Sequence, residues 1–362
     1  MTHTTENSLV FIGTYTHTDS LGIYTCRFDT GAGALEPVSV ATGAENPSFL
    51  ALHPNKRFLY AASEVHEFDG KQQGAVYAYA IDAESGELTC LNSQGSGGPG
   101  PCHVKADATG RFVLAANYHG GSVCVLPIED DGSLAPASDF IQHEGSSVNP
   151  RRQDQARAHS INPDAQNRFA YVPDLGQDRV VIYQLDTDDR RLVPNAPAYV
   201  EVNPGFGPRH FDFHPGGRWA YLINELGSTI TAFEYDRESG SLSEFQVTGT
   251  LPTGFSGSNT TADIHVHPSG SFVYGSNRGH DSIAVFSVDQ DDGRLTPLGH
   301  RSTGGRAPRN FSIDPSGRFL LAANQDSDTI VTFHIDQESG LLAPTGRELN
   351  IPMPVCIRFL DE

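Results

Sequence analysis

Apolar residues in this chain come in short runs, each stopped by a polar residue or a turn. The longest unbroken run, Ala75–Ile81, has seven residues. Six runs share one order of a starting polar residue, an aromatic, apolar and small residues, and a polar end. They are Arg57-Phe-Leu-Tyr-Ala-Ala-Ser63, Arg111-Phe-Val-Leu-Ala-Ala-Asn117, Arg168-Phe-Ala-Tyr-Val-Pro-Asp174, Arg218-Trp-Ala-Tyr-Leu-Ile-Asn224, Ser271-Phe-Val-Tyr-Gly-Ser-Asn277 and Arg318-Phe-Leu-Leu-Ala-Ala-Asn324. A second element follows each, alternating in places as in Thr229-Ile-Thr-Ala-Phe-Glu-Tyr235. It ends in an acid seven times, at Asp29, Asp82, Glu129, Asp186, Asp236, Asp289 and Asp336. Short runs rich in Val, Ile, Tyr and Phe, bounded by Gly, Asp-Gly and His-Pro, predict strands joined by hairpins. No helical period competes with them.

A third element follows each acid as a turn and strand, as at Gly240-Ser-Leu242 and Gly293-Arg-Leu295. A fourth precedes each Arg-aromatic run: Pro47-Ser-Phe-Leu, Pro101-Cys-His-Val, Ala158-His-Ser-Ile, Pro208-Arg-His-Phe, Ala262-Asp-Ile-His and Pro308-Arg-Asn-Phe. Four strands, A to D, recur about every fifty residues, which is the signature of a β-propeller. The chain starts inside a unit, with Leu9–Thr14 as a strand B, and ends on an orphan strand A, Pro354–Phe359. The expected fold is therefore an all-β, seven-bladed propeller spanning residues 1–362 as one domain, its ring closed by the C-terminal strand joining the N-terminal blade. A single tryptophan, Trp219, excludes a WD-repeat scaffold.

Charge narrows the function. With 24 basic and 44 acidic side chains the net charge is −20, and no basic stripe is available to neutralise phosphates, so a nucleic-acid partner is not expected. No apolar run is long enough to span a bilayer. The five cysteines are scattered without a CxxC, and the first residues lack a secretory pattern. Both favour free thiols in a cytoplasmic protein.

In a closed propeller the ends of strands A and B meet at one mouth of the central channel, so chemistry should show as polar departures in repeat register. Nine positions before the start of each strand B lie Ser48, Cys102, His159, Arg209, Ala262 and Arg309. Seven positions after it lie Glu64, Tyr118, Leu175, Glu225, Arg278 and Gln325. His159, Arg209, Glu225 and Arg278 come from three consecutive blades, and Arg309 adds a cation from the next. Arginine is rarely buried without a partner, and its planar fork suits carboxylate or phosphate. The competing reading makes Arg209 or Arg278 a structural bridge to Glu225 and His159 a core histidine, a use common among the other histidines here. Six positions after each start lie Ser63, Asn117, Asp174, Asn224, Asn277 and Asn324, residues that suit strand ends. The blade containing His159 has the longest spacing, and its loop, His143 to Gln153, is placed to cap the mouth.

Other motifs carry less. Gly95–Gly100 lacks the lysine of a phosphate loop. Asp289–Gly293 reads as a hairpin turn rather than a calcium loop. His265 and His267 share a strand face but have no third ligand nearby in sequence, and no GxSxG elbow occurs.

Ala158-His-Ser160, Gly207-Pro-Arg-His210 with Phe211 and His214-Pro215, Asn224-Glu-Leu226, Asp263-Ile, Ser276-Asn-Arg-Gly-His-Asp-Ser282 and Pro354–Phe359 together resemble the seven-bladed β-propeller lactonases. That family includes cycloisomerase-type 6-phosphogluconolactonases and the fungal 3-carboxy-cis,cis-muconate lactonizing enzyme. The resemblance implies a catalytic group of His159, Arg209, Glu225 and Arg278. Relatives often carry Pro-His-x-His where this chain has Ala156-Arg157-Ala158-His159, so Arg157 replaces a histidine.

These observations set the expectation of an enzyme acting on a small anionic lactone, without a metal or organic cofactor. His159 or Glu225 would be the general base and the other the proton donor, with His159 titrating near neutrality because arginines hold Glu225 ionised. Arg209 and Arg278 would stabilise an oxyanion or carboxylate. Arg309 would hold a distal phosphate or carboxylate, and Asn277 and His103 would also contact substrate. 6-Phosphogluconolactone is the first substrate expected and carboxymuconate cyclisation the close alternative. A non-catalytic binding propeller would instead expose a broad apolar mouth, and a metal-dependent lactonase would be chelator-sensitive.

Overall fold

The computed structural model describes residues 7–361. These form seven four-stranded antiparallel sheets and a single short 3-10 turn at Gln325–Ser327. Blade 1 holds Asn7–Thr14, Ile23–Asp29 and Ala34–Ala41 as strands B to D, and takes Pro354–Phe359 from the other end of the chain as its strand A. That strand runs antiparallel to the first, pairing Val10 with Phe359 and Ile12 with Ile357. The ring is thus closed by hydrogen bonds between the two ends of the chain, and neither strand is left as an open edge.

The repeated sequence features each have a structural reason. Strand B, as in Phe58–Ser63, Phe112–Asn117 and Trp219–Asn224, is buried at every position because neighbouring blades pack against both of its faces. The apolar clusters accordingly lie between blades. Phe169, Tyr171 and Ile182 of blade 4, for example, meet Phe211, Leu222 and Phe233 of blade 5. The recurrent strand-B tyrosine staples adjacent blades. Tyr171, Tyr221 and Tyr274 donate to the carbonyls of Gly240, Gly293 and Gly340, each in the C–D turn of the next blade. Gly240 has a φ of +70°, and a β-carbon there would meet the Phe169 ring at 2.6 Å, so this turn requires glycine. The acid that closes strand C caps the same turn: Asp29 Oδ1 accepts from the backbone N–H of Gly31 and Ala32, and Asp336 Oδ1 from that of Ser339.

His53, His214 and His267 occupy A–B turns, where each ring Nδ1 accepts a backbone N–H two residues on. His267 Nε2 is bonded to the Gly317 carbonyl, whereas His265 bonds Asp263, so the two imidazoles of the His265-Val-His267 segment serve different partners.

Candidate active site

The strands A line the central channel, and their register places the candidate residues. In blade 5, Pro208–Phe213 pairs with Trp219–Asn224, but the register slips between Pro208 and His210, leaving Arg209 as an extra residue. The same slip falls at Ser48, Cys102 and Arg309 in blades 2, 3 and 7, and around Ala262 and Asp263 in blade 6. The sequence column nine positions before strand B is therefore a ring of β-bulges, a device that re-aims side chains. Arg209 and His210, adjacent in sequence, consequently touch each other, with Nη1 3.1 Å from Nε2.

Blade 4 departs further. A strand was expected at Ala158–Ile161, yet only Asn162–Pro163 pairs as a strand, with one isolated bridge between Ala158 and Asp174. Side chains satisfy part of this backbone instead. The Cys102 thiol lies 3.3 Å from the His159 carbonyl, and the Ile161 N–H donates to His103 Nδ1. The Ser160 hydroxyl donates to the Arg209 carbonyl, joining blades 4 and 5.

The residues singled out as catalytic in the sequence converge on one buried carboxylate. Glu225 Oε2 lies 3.0 Å from Arg209 Nε and 3.0 Å from Arg278 Nη2, while Oε1 accepts from Arg152 Nη2. Burial opposes ionisation of Glu225, but Arg278, Arg209 and Arg152 together hold its carboxyl well below the usual range. His159 Nε2 is 3.7 Å from Oε2, an ion-pair separation but too long for a hydrogen bond. The imidazole packs edge-on to Tyr118 and His210, with ring centroids 5.0 and 5.5 Å away.

The expectation that His159 titrates near neutrality is corrected here. Burial first, then the positive charges of Arg209 and Arg309 and the neighbouring His210, hold its pKa well below the ordinary histidine value. His159 is therefore the uncharged imidazole beside a charged carboxylate.

Arg309 belongs to the same mouth, since its charge bears on Arg209, Arg278 and His159. Its guanidinium lies 5.4 Å from the Tyr15 ring centroid and makes no hydrogen bond or ion pair among the described residues. Tyr15 in turn donates to Glu64 Oε2 at 2.8 Å.

Asn277 and His103 sit elsewhere. The Asn277 amide is spent on Thr250, just past the last strand of blade 5, and on Asn259 and Ser282, as befits a strand-end residue. The His103 ring makes a tilted contact with Phe49, the ring centroids 4.2 Å apart. It lines a cavity of about 140 Å³ with His210, Asp263, Asp212, His265 and Arg358, and none of His159, Arg209 and Glu225 reaches that cavity.

Two residues of the mouth were not singled out from the sequence. Tyr15 lies seven positions after Ser8, in register with Glu225. It falls outside the six aligned runs because blade 1 lacks the Arg-aromatic start. Arg152 lies outside any repeat column, on the flagged loop of blade 4. That loop is pinned by His143, bonded to Asp174 and Tyr183, and by Gln153, which donates to the Leu175 carbonyl. Arg157, which replaces a histidine of the family pattern, pairs with Asp154 and lies over the Tyr118 ring.

The channel mouth thus gathers three arginines and a histidine around one buried carboxylate. The family described as "Lactonase, 7-bladed beta-propeller" matches residues 9–359, and the chain belongs to it. It is 39% identical over 352 residues to a 6-phosphogluconolactonase of Bacillus subtilis, covering 97% of this chain and 98% of that one. A 6-phosphogluconolactonase of Formosa agariphila is 37% identical over 84% of this chain and 85% of its own. Among solved structures, the periplasmic gluconolactonase of Pseudomonas aeruginosa superposes with a TM-score of 0.92 at 34% identity, over 98% of this chain and 99% of that one. These relatives support a lactonase hydrolase; the muconate cycloisomerase alternative finds no support in them. No helix among the described residues is long and apolar enough to cross a membrane.

Proposed function

We propose that the protein hydrolyses the lactone of a phosphorylated sugar acid, 6-phosphogluconolactone, at the mouth formed by His159, Glu225, Arg209 and Arg278. The observation that carries this reading is the Glu225 carboxylate held by Arg152, Arg209 and Arg278 with an uncharged imidazole 3.7 Å away. Neutral His159 is the free base of the pair, because the Glu225 carboxylate is already committed to cations. Water attacks the lactone carbonyl as His159 takes its proton. Arg209 and Arg278 stabilise the tetrahedral oxyanion, an effect worth about 3–4 kcal/mol for one well-placed donor. When the ring C–O bond breaks, the imidazolium returns the proton to the departing alkoxide, and the product acid ionises. Glu225 supports the imidazolium while it exists and keeps the arginines in place. Arg309, which lies over the Tyr15 ring and makes no hydrogen bond or ion pair among the described residues, receives the distal phosphate. The names of the relatives favour the same substrate.

The test is base consumption at constant pH with freshly prepared 6-phosphogluconolactone, gluconolactone and 3-carboxymuconolactone, each corrected for spontaneous opening. The reading expects the phosphorylated lactone to be turned over with the highest kcat/KM. Preference for the carboxylated muconolactone, or no turnover of any lactone, overturns it.

A further inference from the structure

His210 is a buried imidazole with no direct contact to Glu225, yet both of its nitrogens are committed. Nε2 faces Arg209 Nη1 at 3.1 Å, and Nδ1 faces Asp263 Oδ1 at 2.6 Å. A guanidinium has no acceptor, so Nε2 accepts, and the ring proton must sit on Nδ1 and be donated to Asp263. The tautomer is fixed from both sides. Burial and the Arg209 charge bring the His210 pKa down to about 4 against the pull of Asp263, in keeping with a neutral ring.

Asp263 is itself anchored. Its Oδ1 also accepts the Ile264 N–H at 3.1 Å, and its Oδ2 receives His265 Nε2 at 3.1 Å and the amide of Asn310. Asn310 Oδ1 accepts the Ile357 N–H at 2.7 Å, which ties the chain of bonds to the ring-closing strand. Arg209 is the free end of this chain. Its Nη1 is used by His210 and by the Ala262 carbonyl at 2.5 Å, and its Nε by Glu225. Nη2 makes no hydrogen bond among the described residues, so the clamp leaves two N–H donors uncommitted. The roll of the guanidinium about its own plane decides where those donors point.

We infer that Asp263 and His210 are positioning residues for lactone opening: Asp263 sets the His210 tautomer, and the His210 acceptor fixes the Arg209 guanidinium so that Nη2 meets the developing oxyanion. The inference rests on the role proposed above for Arg209.

Two substitutions separate this from a purely structural link between blades. Asn at position 210 places an amide near the site of Nδ1 and can bond Asp263, but cannot reach Arg209. Gln at 210 places its terminal group near the site of Nε2 and can accept from Arg209, but serves Asp263 poorly. Positioning predicts that His210→Asn lowers kcat about a hundredfold with KM within about threefold of wild type, and that His210→Gln lies at least about tenfold above Asn in kcat. Both variants are to be checked for a cooperative thermal melt. A structural staple predicts the reverse order, with Asn the better enzyme, and that order or equal kcat values overturn the inference. Arg209→Ala, measured alongside, reads the underlying mechanism. Wild-type kcat in Arg209→Ala removes the proposed role of Arg209 and the inference with it. A crippled Arg209→Ala beside a fully active His210→Asn removes the inference alone.

Discussion

Nε2 of His159 and Oε2 of Glu225 stand 3.7 Å apart, both side chains buried, although the two residues belong to different blades. At that separation they share no proton. Three guanidiniums neutralise the carboxylate, and the imidazole, facing the charge of Arg209 and Arg309 in a dry setting, stays uncharged. The pair is thus divided into a fixed anion and a free base before any substrate arrives.

This division sets the pH dependence. In the proposed mechanism His159 acts when neutral, and its pKa is lowered, so its base form persists below the ordinary histidine range. We expect kcat/KM to stay level from about pH 8 down through about pH 6.5 and to fall only in more acidic solution. A single ionisation centred near pH 6.5 in the wild-type profile, absent from His159→Ala, contradicts this assignment.

Glu225→Gln removes the carboxylate shared by Arg152, Arg209 and Arg278. Breaking a buried ion-pair network by deleting one partner costs about 3–5 kcal/mol, and urea denaturation at neutral pH should show a loss of that order. The sign of its pH dependence follows from the lowered pKa. The folded carboxyl ionises more readily than the unfolded one, so its stabilisation is complete above the unfolded value of about 4.3 and is lost as the pH falls below it toward the folded value. The gap between wild type and Glu225→Gln should therefore be constant above pH 5 and narrow in acid. A gap that widens on acidification is the opposite result.

Arg309 has an uncommitted guanidinium stacked on Tyr15. Its replacement by methionine removes the charge-assisted bonds expected to the phosphate, each worth about 1.5–3 kcal/mol. KM for the phosphorylated lactone should rise about tenfold to a hundredfold, while kinetics on unphosphorylated gluconolactone change by less than about threefold. Equal losses on both lactones would place Arg309 at the reacting centre instead.

The ring depends on its last strand. A chain ending at Met353 lacks Pro354–Phe359, leaves Val10–Thr14 unpaired along one side, and removes Val355, Cys356, Ile357 and Phe359 from the core. Circular dichroism should show no cooperative melt for this truncation. A melt within a few degrees of the full chain would mean that the closing strand is dispensable.

The blades were legible in the sequence because each repeated residue answers a repeated physical need: acids that cap C–D turns, tyrosines that reach the next blade, and apolar runs buried on both faces. The mouth was legible for the same reason, since a bulge at a constant register turns a sequence column into a ring of side chains. What did not repeat was harder to see. Arg152 reaches Glu225 from a loop with no counterpart in other blades. The segment around His159 gives up ladder pairing for bonds with side chains. Asn277 follows the strand-end pattern, its amide spent on its neighbours, and His103 lines a cavity that none of His159, Arg209 and Glu225 reaches. The lowered His159 pKa needed the positions of Arg209 and Arg309 in space, which no spacing along the chain conveys.

The most direct measurement is acid release from fresh 6-phosphogluconolactone at constant pH, wild type against His159→Ala, with thermal melts to establish that both are folded. The mechanism predicts wild-type turnover well above spontaneous opening and a loss of about a hundredfold or more in kcat for the variant. A folded His159→Ala that turns the lactone over at the wild-type rate would contradict it.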